Sequence, residues 1–256
     1  MNEQWSLRGR RALVTGGTRG IGRATAETLL DLGAEVLVVG RDVMCANENR
    51  QAWQSAHRPG NVIIADITTP KGRAAIVAGV QARGSSLDVL VNNVGAGNRQ
   101  AFVNLTDDDI DGLVSLNFSS AAMLTRDLYP FLKLANGASV VNVAGAAGLV
   151  SIPNTAMYGA LKGAMIQLTR ALAVEWASDQ IRVNAVSPWF TRTPRIEAIV
   201  SMPEVANRII ERTPLGRMAE MEEIASVIAF LSMKASSYIT GQNVIVDGGA
   251  TIASIL

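Results

Sequence analysis

Short apolar runs alternate with helix-forming stretches along the whole chain, and this alternation constrains the fold more than any other feature of the sequence. The runs are apolar at successive positions, as is typical of strands that are buried on both faces. Regular strand–helix alternation predicts an α/β fold: a doubly wound, seven-stranded parallel sheet with helices on both faces. The seven runs are RALVTGG, AEVLVVG, NVIIAD, DVLVNNVG, SVVNVAG, IRVNAVSP and QNVIVDGG.

The stretches between these runs have apolar residues spaced by three and four, which predicts helices. No linker or change in composition divides the chain, so a single domain is expected over residues 1–256. The least regular stretch, residues 189–217, lies between the sixth and seventh strands and should cover a ligand. The predicted helices are IGRATAETLLDLG, TPKGRAAIVAGVQARG, TDDDIDGLVSLNFSSAAMLTRDLYPFLK, NTAMYGALKGAMIQLTRALAVEWASD and EMEEIASVIAFLS.

Composition narrows the functional classes. The formal net charge is +1 with both signs scattered, which argues against a nucleic-acid partner. No apolar run approaches the ~18 residues of a membrane span, and the N-terminus does not resemble a signal peptide. The lone cysteine, Cys45, cannot form an internal disulfide, which fits a cytoplasmic location. With His57 as the one histidine, the chain has no set of soft ligands for zinc, and no metal is predicted.

A glycine-rich loop, TGGTRGIG, follows the first predicted strand and precedes a helix. Its glycines allow a tight turn and let backbone N–H groups approach a pyrophosphate at the start of the helix. At the end of the second strand, Arg41 follows Gly40 where an NAD-binding chain would carry an acidic residue. A guanidinium suits the 2′-phosphate of NADPH, and Arg19 could flank it. Asp42 keeps NADH open, and Arg41 can also be read as a solvated residue at a helix start.

Tyr158 and Lys162 lie four residues apart in a predicted helix, so they share a face. An ordinary tyrosine has a pKa near ~10, and a neighbouring ammonium favours the phenolate and lowers that pKa. The pair therefore predicts proton exchange with a substrate. A tyrosine and a lysine at this spacing also occur as a plain surface pair, so the pair alone does not decide the function.

These motifs together resemble the classical short-chain dehydrogenase/reductase family, over essentially the whole chain, and its tropinone-reductase-like branch in particular. The loop resembles the family's TGxxxGxG, Tyr158-x-x-x-Lys162 matches YxxxK, and NNVG resembles NNAG. Asn117 stands at the family's helix asparagine, and RVNAVSP and VDGG match the ends of its last two strands. The resemblance implies a Rossmann-like fold. Trp189, where the family usually has glycine, departs from the pattern.

The resemblance also implies roles for particular residues. Tyr158 is expected to be the general acid or base, Lys162 to lower its pKa and hold the nicotinamide ribose, and Asn117 to anchor a water beside Lys162. Backbone at Phe190 is expected near the nicotinamide carboxamide. The expected NADPH-binding residues are Gly16, Thr18, Arg19, Gly20, Ile21, Gly22, Arg41, Asp66, Ile67, Asn93, Gly95, Tyr158, Lys162 and Thr193. Trp189, Phe190, Met157 and Met202 are either pocket walls or packing residues. A homodimer or homotetramer is implied through two long helices.

The family's active-site serine is missing at the position that the resemblance assigns to it. That serine stands thirteen residues before the tyrosine, which here is Gly145, and its neighbours are alanines. Loss of one donor to the substrate oxygen typically costs about 10²–10³ in rate. Ser151 or Thr155 could replace it if the loop folds inward.

Three readings therefore stay open at the level of sequence. The first is an NADPH-dependent oxidoreductase that transfers a hydride to a small carbonyl or imine substrate, and an imine would need less stabilisation of an oxyanion. The second is a nucleotide-binding family member with little catalysis, acting as a sensor or partner subunit. The third is an engineered variant that lacks the serine. The intact Tyr158, Lys162 and Asn117 favour the first reading.

Overall fold

The computed structural model describes residues 3–97 and 99–253. All its strands are parallel and form one seven-stranded sheet with the order β3-β2-β1-β4-β5-β6-β7. The predicted doubly wound sheet is confirmed, and its direction of winding reverses between β1 and β4. The strands are β1 (Arg11–Thr15), β2 (Glu35–Gly40), β3 (Gly60–Ile64), β4 (Val89–Asn92), β5 (Ser139–Val143), β6 (Arg182–Pro188) and β7 (Asn243–Val246).

Helices cover both faces of the sheet, as the alternation predicts. On one face Leu29 and Ile228 join a buried core with the sheet, and on the other Ile76 and Leu128 do so. The helices are α1 (Gly20–Asp31), α2 (Val43–Ser55), α3 (Pro70–Gln81), α4 (Asp107–Val114), α5 (Ser120–Leu134), α6 (Ala156–Glu175), α7 (Pro194–Val200), α8 (Pro203–Glu211) and α9 (Met221–Ser232). Among the described residues, none of these helices is long and apolar enough to cross a membrane.

The structure adds helices that the sequence reading missed. Helix α2 buries Ala46, Asn49 and Trp53, and the polar Asn49 on its inner face hides the apolar periodicity. Helices α7 and α8 lie within the stretch that looked irregular. Pro194 and Pro203 stand in the first turn of these helices, where a missing N–H costs no hydrogen bond, so both prolines begin a helix instead of breaking one.

The long helix predicted around Asn117 is interrupted. Helices α4 and α5 are joined by one wide, π-helical turn over Ser115–Ser119, and Asn117 sits at its centre. Such turns often occur at functional sites because they push a side chain out of the regular helical register. Asn117 bonds Ala96 in the loop after β4, at the carboxyl edge of the sheet, where doubly wound sheets bind ligands.

Candidate active site

The glycine-rich loop between β1 and α1 has the backbone shape that a phosphate-binding turn requires. Gly16 and Gly20 have φ values of 64° and 60°, a region that side chains disfavour. A Cβ on Gly22 would lie 2.2 Å from the Gly16 carbonyl oxygen, so α1 begins too close to the loop for any other residue. Asn93 braces the loop, since its Nδ2 donates to the carbonyls of Thr15 (3.0 Å) and Gly16 (3.3 Å).

The predicted adenosine-binding residues meet at the ends of β2 and β3. The Arg41 guanidinium lies 3.1 Å from the Asp66 carboxylate, and both side chains are accessible. Burial raises the pKa of Asp66, but hydrogen bonds from Thr68 and the Arg41 charge outweigh it, so the pKa lies below its usual value. Asp42 accepts hydrogen bonds from the N–H groups of Met44 and Cys45 and so caps α2. Both hydrogen bonds are accepted by Oδ1, so Asp42 Oδ2 takes no part in the cap, and the choice between NADPH and NADH stays a prediction.

Four other predicted cofactor residues contribute differently from Arg41. The Ile67 side chain is 3% exposed and belongs to the core beneath the sheet, which leaves only its backbone to face a ligand. Thr18 packs against Gly40, and its carbonyl accepts a hydrogen bond from Asn49. The Arg19 side chain is exposed at the N-cap of α1, and Ile21 packs partly into the core. These contacts shape the turn around the glycines.

Lys162 is buried in α6 and donates to the carbonyl of Val143, at 2.9 Å, where β5 ends. Burial lowers the pKa of Lys162 to about 8, because the ammonium loses its hydration. Its Nζ lies 5.5 Å from the centroid of the Tyr158 ring, so the two side chains are neighbours, as the spacing predicts.

The expected lowering of the Tyr158 pKa is not found. Although the ring is only half-buried, the surrounding protein removes enough water from the phenol to raise its pKa. The charge that opposes this rise is the guanidinium of Arg195. The prediction from the i, i+4 spacing was wrong because it left out burial, which disfavours the phenolate more than the Arg195 charge favours it.

Asn117 is buried and ties the wide helical turn to the loop after β4. Its Oδ1 accepts from the N–H of Ala96 at 2.9 Å, and its Nδ2 donates to the carbonyls of Ala96 (2.9 Å) and Leu113 (3.0 Å). A Cβ on Gly95 would lie 3.0 Å from both Asn117 Oδ1 and Lys162 Nζ. Asn117 and Lys162 therefore face each other across a gap that only a glycine leaves open.

Gly145 faces the tyrosine at the end of β5. A Cβ on Gly145 would lie 3.8 Å from Tyr158 Oη and 3.8 Å from Lys162 Cγ. The two alternative hydroxyls lie elsewhere: Ser151 is exposed, and Thr155 donates to the carbonyl of Ile152 in its own loop. The wall beside Tyr158 at Gly145 thus carries no side-chain donor.

The segment after β6 begins with an anchored aromatic pair. The rings of Trp189 and Phe190 meet edge to face at 4.9 Å, and the indole Nε1 of Trp189 lies 3.2 Å from Thr213 Oγ1. The Phe190 carbonyl accepts from the N–H of Ala219, so the chain here is held by backbone bonds as well. Met157 is partly exposed and Met202 largely exposed, which leaves both able to contact a ligand.

The start of α7 lies against both halves of the site. Thr193 caps α7 through Ile196 N–H, and its methyl group would lie 3.8 Å from a Cβ on Gly20. Arg195 reaches back to donate to the carbonyl of Gly97, and Gly97 lies against the Tyr158 ring. Sequence reasoning missed Arg195. The signal was the TRTP segment, in which threonine followed by proline marks a helix start and aims the next residues.

Together the parallel sheet, the glycine turn at its winding switch and the tyrosine–lysine pair beside it define a dinucleotide-binding oxidoreductase. Residues 16–251 match the family model described as enoyl-(acyl carrier protein) reductase. With the relatives below, this match shows that the chain belongs to the short-chain dehydrogenase/reductase family, as the motifs predicted.

Two curated relatives are tropinone reductase homologs of Arabidopsis thaliana. One is 40% identical to this chain, over 98% of this chain and 96% of the relative. The other, a chloroplastic homolog, is 42% identical, over 98% of this chain and 78% of the relative. A solved structure of a gluconate 5-dehydrogenase from Burkholderia cenocepacia, in complex with NADP and tartrate, superposes with a TM-score of 0.92. The two sequences are 27% identical, and the superposition covers 98% of this chain and 99% of the gluconate 5-dehydrogenase chain. The placement in the tropinone-reductase-like branch is confirmed.

Proposed function

We propose that this protein is an NADPH-dependent oxidoreductase that reduces a small ketone or imine, with Tyr158 as the proton donor. The observation that carries the proposal is the convergence of Tyr158, Lys162 and Gly145 at one edge of the sheet, where a Cβ on Gly145 would lie 3.8 Å from the phenol oxygen. A substrate carbonyl beside this oxygen would have the phenol within reach and the glycine loop on the same edge.

The glycine turn and the residues around it fit a dinucleotide phosphate. The turn has no room for a side chain at Gly22, and it lies at the start of α1, where backbone N–H groups without a partner inside the helix bind a pyrophosphate. The exposed guanidinium of Arg41 supports a 2′-phosphate contact in place of its present ion pair with Asp66. Thr193, Asn93 and Gly95 would border the nicotinamide end. When bound, NADPH supplies the hydride.

The pKa values of the pair favour reduction. Because burial raises the pKa of Tyr158, its phenol keeps its proton at neutral pH and can donate it to the carbonyl oxygen or imine nitrogen. The Lys162 ammonium, whose pKa is about 8, is still largely protonated at pH 7 and stabilises the phenolate that remains. Asn117 holds the loop at Ala96 and so keeps Gly95 between itself and Lys162. It acts here as a positioning residue.

The glycine at position 145 bears on the substrate class. A ketone accumulates negative charge on oxygen during reduction and gains from a second donor, whereas an iminium carries positive charge that is neutralised. The absence of a side-chain donor at Gly145 therefore supports an imine as strongly as a ketone. It also supports the second reading, a nucleotide-binding protein with weak catalysis.

The test is NADPH consumption against a panel of cyclic ketones, diketones and cyclic imines. Tyr158→Phe should lower kcat at least ~10²-fold on every accepted substrate while NADPH still binds, because a general acid contributes about that much. The matched control is Tyr238→Phe, since Tyr238 is fully exposed, and it should have no effect. Equal rates for Tyr158→Phe and the wild-type protein would contradict the proposal. Tight NADPH binding with no turnover of any substrate would favour the binding protein.

We also propose that the chain forms a homodimer or homotetramer. Met123 and Leu134 on α5 and Val174 on α6 are exposed apolar residues on the two long helices that the resemblance assigns to a subunit contact. Light scattering should give a mass of two or four chains, and charged substitutions at Leu134 and Val174 should reduce it. The cytoplasmic location stays a prediction, which imaging of the tagged protein in its own cells would test.

A further inference from the structure

Arg195 is a cation held beside the proposed proton donor by two distant parts of the chain. It lies in the first turn of α7, and its Nη2 donates to the carbonyl of Gly97, in the loop after β4. Gly97 in turn backs onto the proposed proton donor, since a Cβ on Gly97 would lie 3.3 Å from Tyr158 Cγ. The guanidinium is therefore tied to the loop that lies against the Tyr158 ring.

The charge of Arg195 affects the protonation of Tyr158. It lowers the pKa of Tyr158 against the larger effect of burial, as expected for a guanidinium that is hydrogen-bonded to the loop behind the Tyr158 ring. Lys162, the other cation near the tyrosine, is buried and donates to Val143. Arg195 is exposed and so is available to a molecule that enters from solvent.

Two arginines of the segment after β6, Arg192 and Arg217, are already paired with carboxylates, but Arg195 is not. Arg192 lies 3.2 Å from the Glu220 carboxylate, and Arg217 forms a bidentate salt bridge with Glu223. Within residues 3–97 and 99–253, no carboxylate lies within ion-pair distance of Arg195. A guanidinium has five N–H donors in a planar fork, and the bond to Gly97 uses one of them. The rest of the fork suits an anion.

Gly145 and the aromatic pair after β6 offer a substrate no charged group. Gly145 presents no hydroxyl to the tyrosine, and Trp189 and Phe190 form an aromatic pair at the start of the same segment. A substrate in such a site would be oriented chiefly by the phenol at one end and by the guanidinium at the other. A carboxylate matches the planar fork and can be bound through two parallel hydrogen bonds.

We infer that Arg195 makes this site selective for carbonyl or imine substrates that carry a carboxylate, which it binds while the reacting group faces Tyr158. The inference rests on the proposed function and names the substrate class of that same site. Arg195 is thus a specificity-determining residue. No covalent step is added, since the carboxylate is unchanged by the reaction.

The experiment compares linear oxo acids, with the ketone two to five carbons along the chain, with their methyl esters. The wild-type protein should prefer an acid to its own ester, and the preferred length measures the span from Arg195 to Tyr158. Arg195→Gln keeps a donor for Gly97 but removes the charge, so KM for the acid should rise roughly 10- to 100-fold while KM for the ester changes less than about twofold. Arg195→Lys should fall between the two. Arg192→Gln, the matched control, removes a cation that is already paired and should change neither.

Two further measurements separate this inference from the proposed function. The affinity of each variant for NADPH should be unchanged, and a loss of the same size as the KM change would assign Arg195 to a cofactor phosphate and overturn the inference. Calorimetric titration of the protein–NADP⁺ complex with the saturated acid of best length should show binding that Arg195→Gln abolishes.

The combined outcomes are distinguishable. If esters and acids react equally well and Tyr158→Phe stops both, the inference fails and the proposed function stands. If saturated acids bind through Arg195 but neither an oxo acid nor any ketone or imine of the wider panel is reduced, the inference stands for binding and the proposed function fails. If a cyclic ketone or imine reacts while no oxo acid reacts and no saturated acid binds, the inference fails alone. If nothing reacts in either panel and no saturated acid binds, both fail.

Discussion

Gly145→Ser should increase the rate of ketone reduction, because it adds the donor that the site lacks. The new Cβ would lie 3.8 Å from Tyr158 Oη and Lys162 Cγ and 4.0 Å from the Pro188 carbonyl oxygen, which are ordinary contact distances. The seryl hydroxyl would then share the substrate oxygen with the phenol. One such donor is worth about 3–4 kcal/mol in the transition state, so kcat/KM for a ketone should rise roughly 10²–10³-fold.

The control is Gly145→Ala, which imposes the same backbone requirement without a hydroxyl. Gly145 has a φ of 158°, at the edge of the range that side chains rarely adopt, so both variants need a small backbone rotation and should lose a similar, small amount of stability. Steady-state kinetics on one ketone and one cyclic imine measure the difference. A serine variant no faster than the alanine variant on the ketone, with both folded, would refute the claim that a missing donor limits the site.

Three further outcomes are expected. Lys162→Met removes a buried ammonium whose pKa is lowered from 10.5 to about 8, so between these pH values the unfolded wild-type chain binds a proton that the folded chain does not. As pH rises from 8 to 10.5, the unfolding free energy of the wild-type protein should therefore increase by about 3 kcal/mol relative to that of the variant, as measured by urea denaturation. A difference that does not change with pH would contradict the burial argument. Arg41→Ala should weaken NADPH at least tenfold by fluorescence titration but leave NADH nearly unchanged, whereas equal losses would exclude the 2′-phosphate contact. Gly22→Ala should abolish dinucleotide binding because the new Cβ would clash with the Gly16 carbonyl oxygen. The control Gly112→Ala, on a helix with no atom near the new Cβ, should bind the dinucleotide normally. Normal binding by both variants would contradict the loop assignment.

The sheet could be predicted from the sequence because its strands are buried on both faces and are therefore continuously apolar. The helices of the substrate segment could not, since Pro194 and Pro203 look like helix breakers until their place in a first turn is known. Helix α2 was missed because Asn49 is buried for its hydrogen bonds to Thr18 and Cys45. Because Asn49 is polar, the inner face of α2 does not show the apolar spacing that is typical of a helix.

Some features of the candidate site could likewise be predicted from the sequence, and others could not. Tyr158 and Lys162 could be placed together because helical spacing is local. The direction of the Tyr158 pKa could not be predicted, since burial depends on segments that are distant in the chain. The position of Arg195 is set by Gly97, 98 residues earlier, and no local pattern contains that contact. The expectation of a single domain over residues 1–256 stays a prediction.

The central claim is that the edge of the sheet around Tyr158 transfers a hydride from NADPH to a carbon of the substrate. The most direct measurement uses NADPH deuterated at the transferable position of the nicotinamide, with mass spectrometry of the product of whichever ketone or imine the protein accepts. We expect one deuterium at the former carbonyl or imine carbon, and we expect the Tyr158→Phe variant to form this product at least ~10²-fold more slowly. Consumption of NADPH without deuterium in the product, or labelled product at an unchanged rate from Tyr158→Phe, would contradict the central claim.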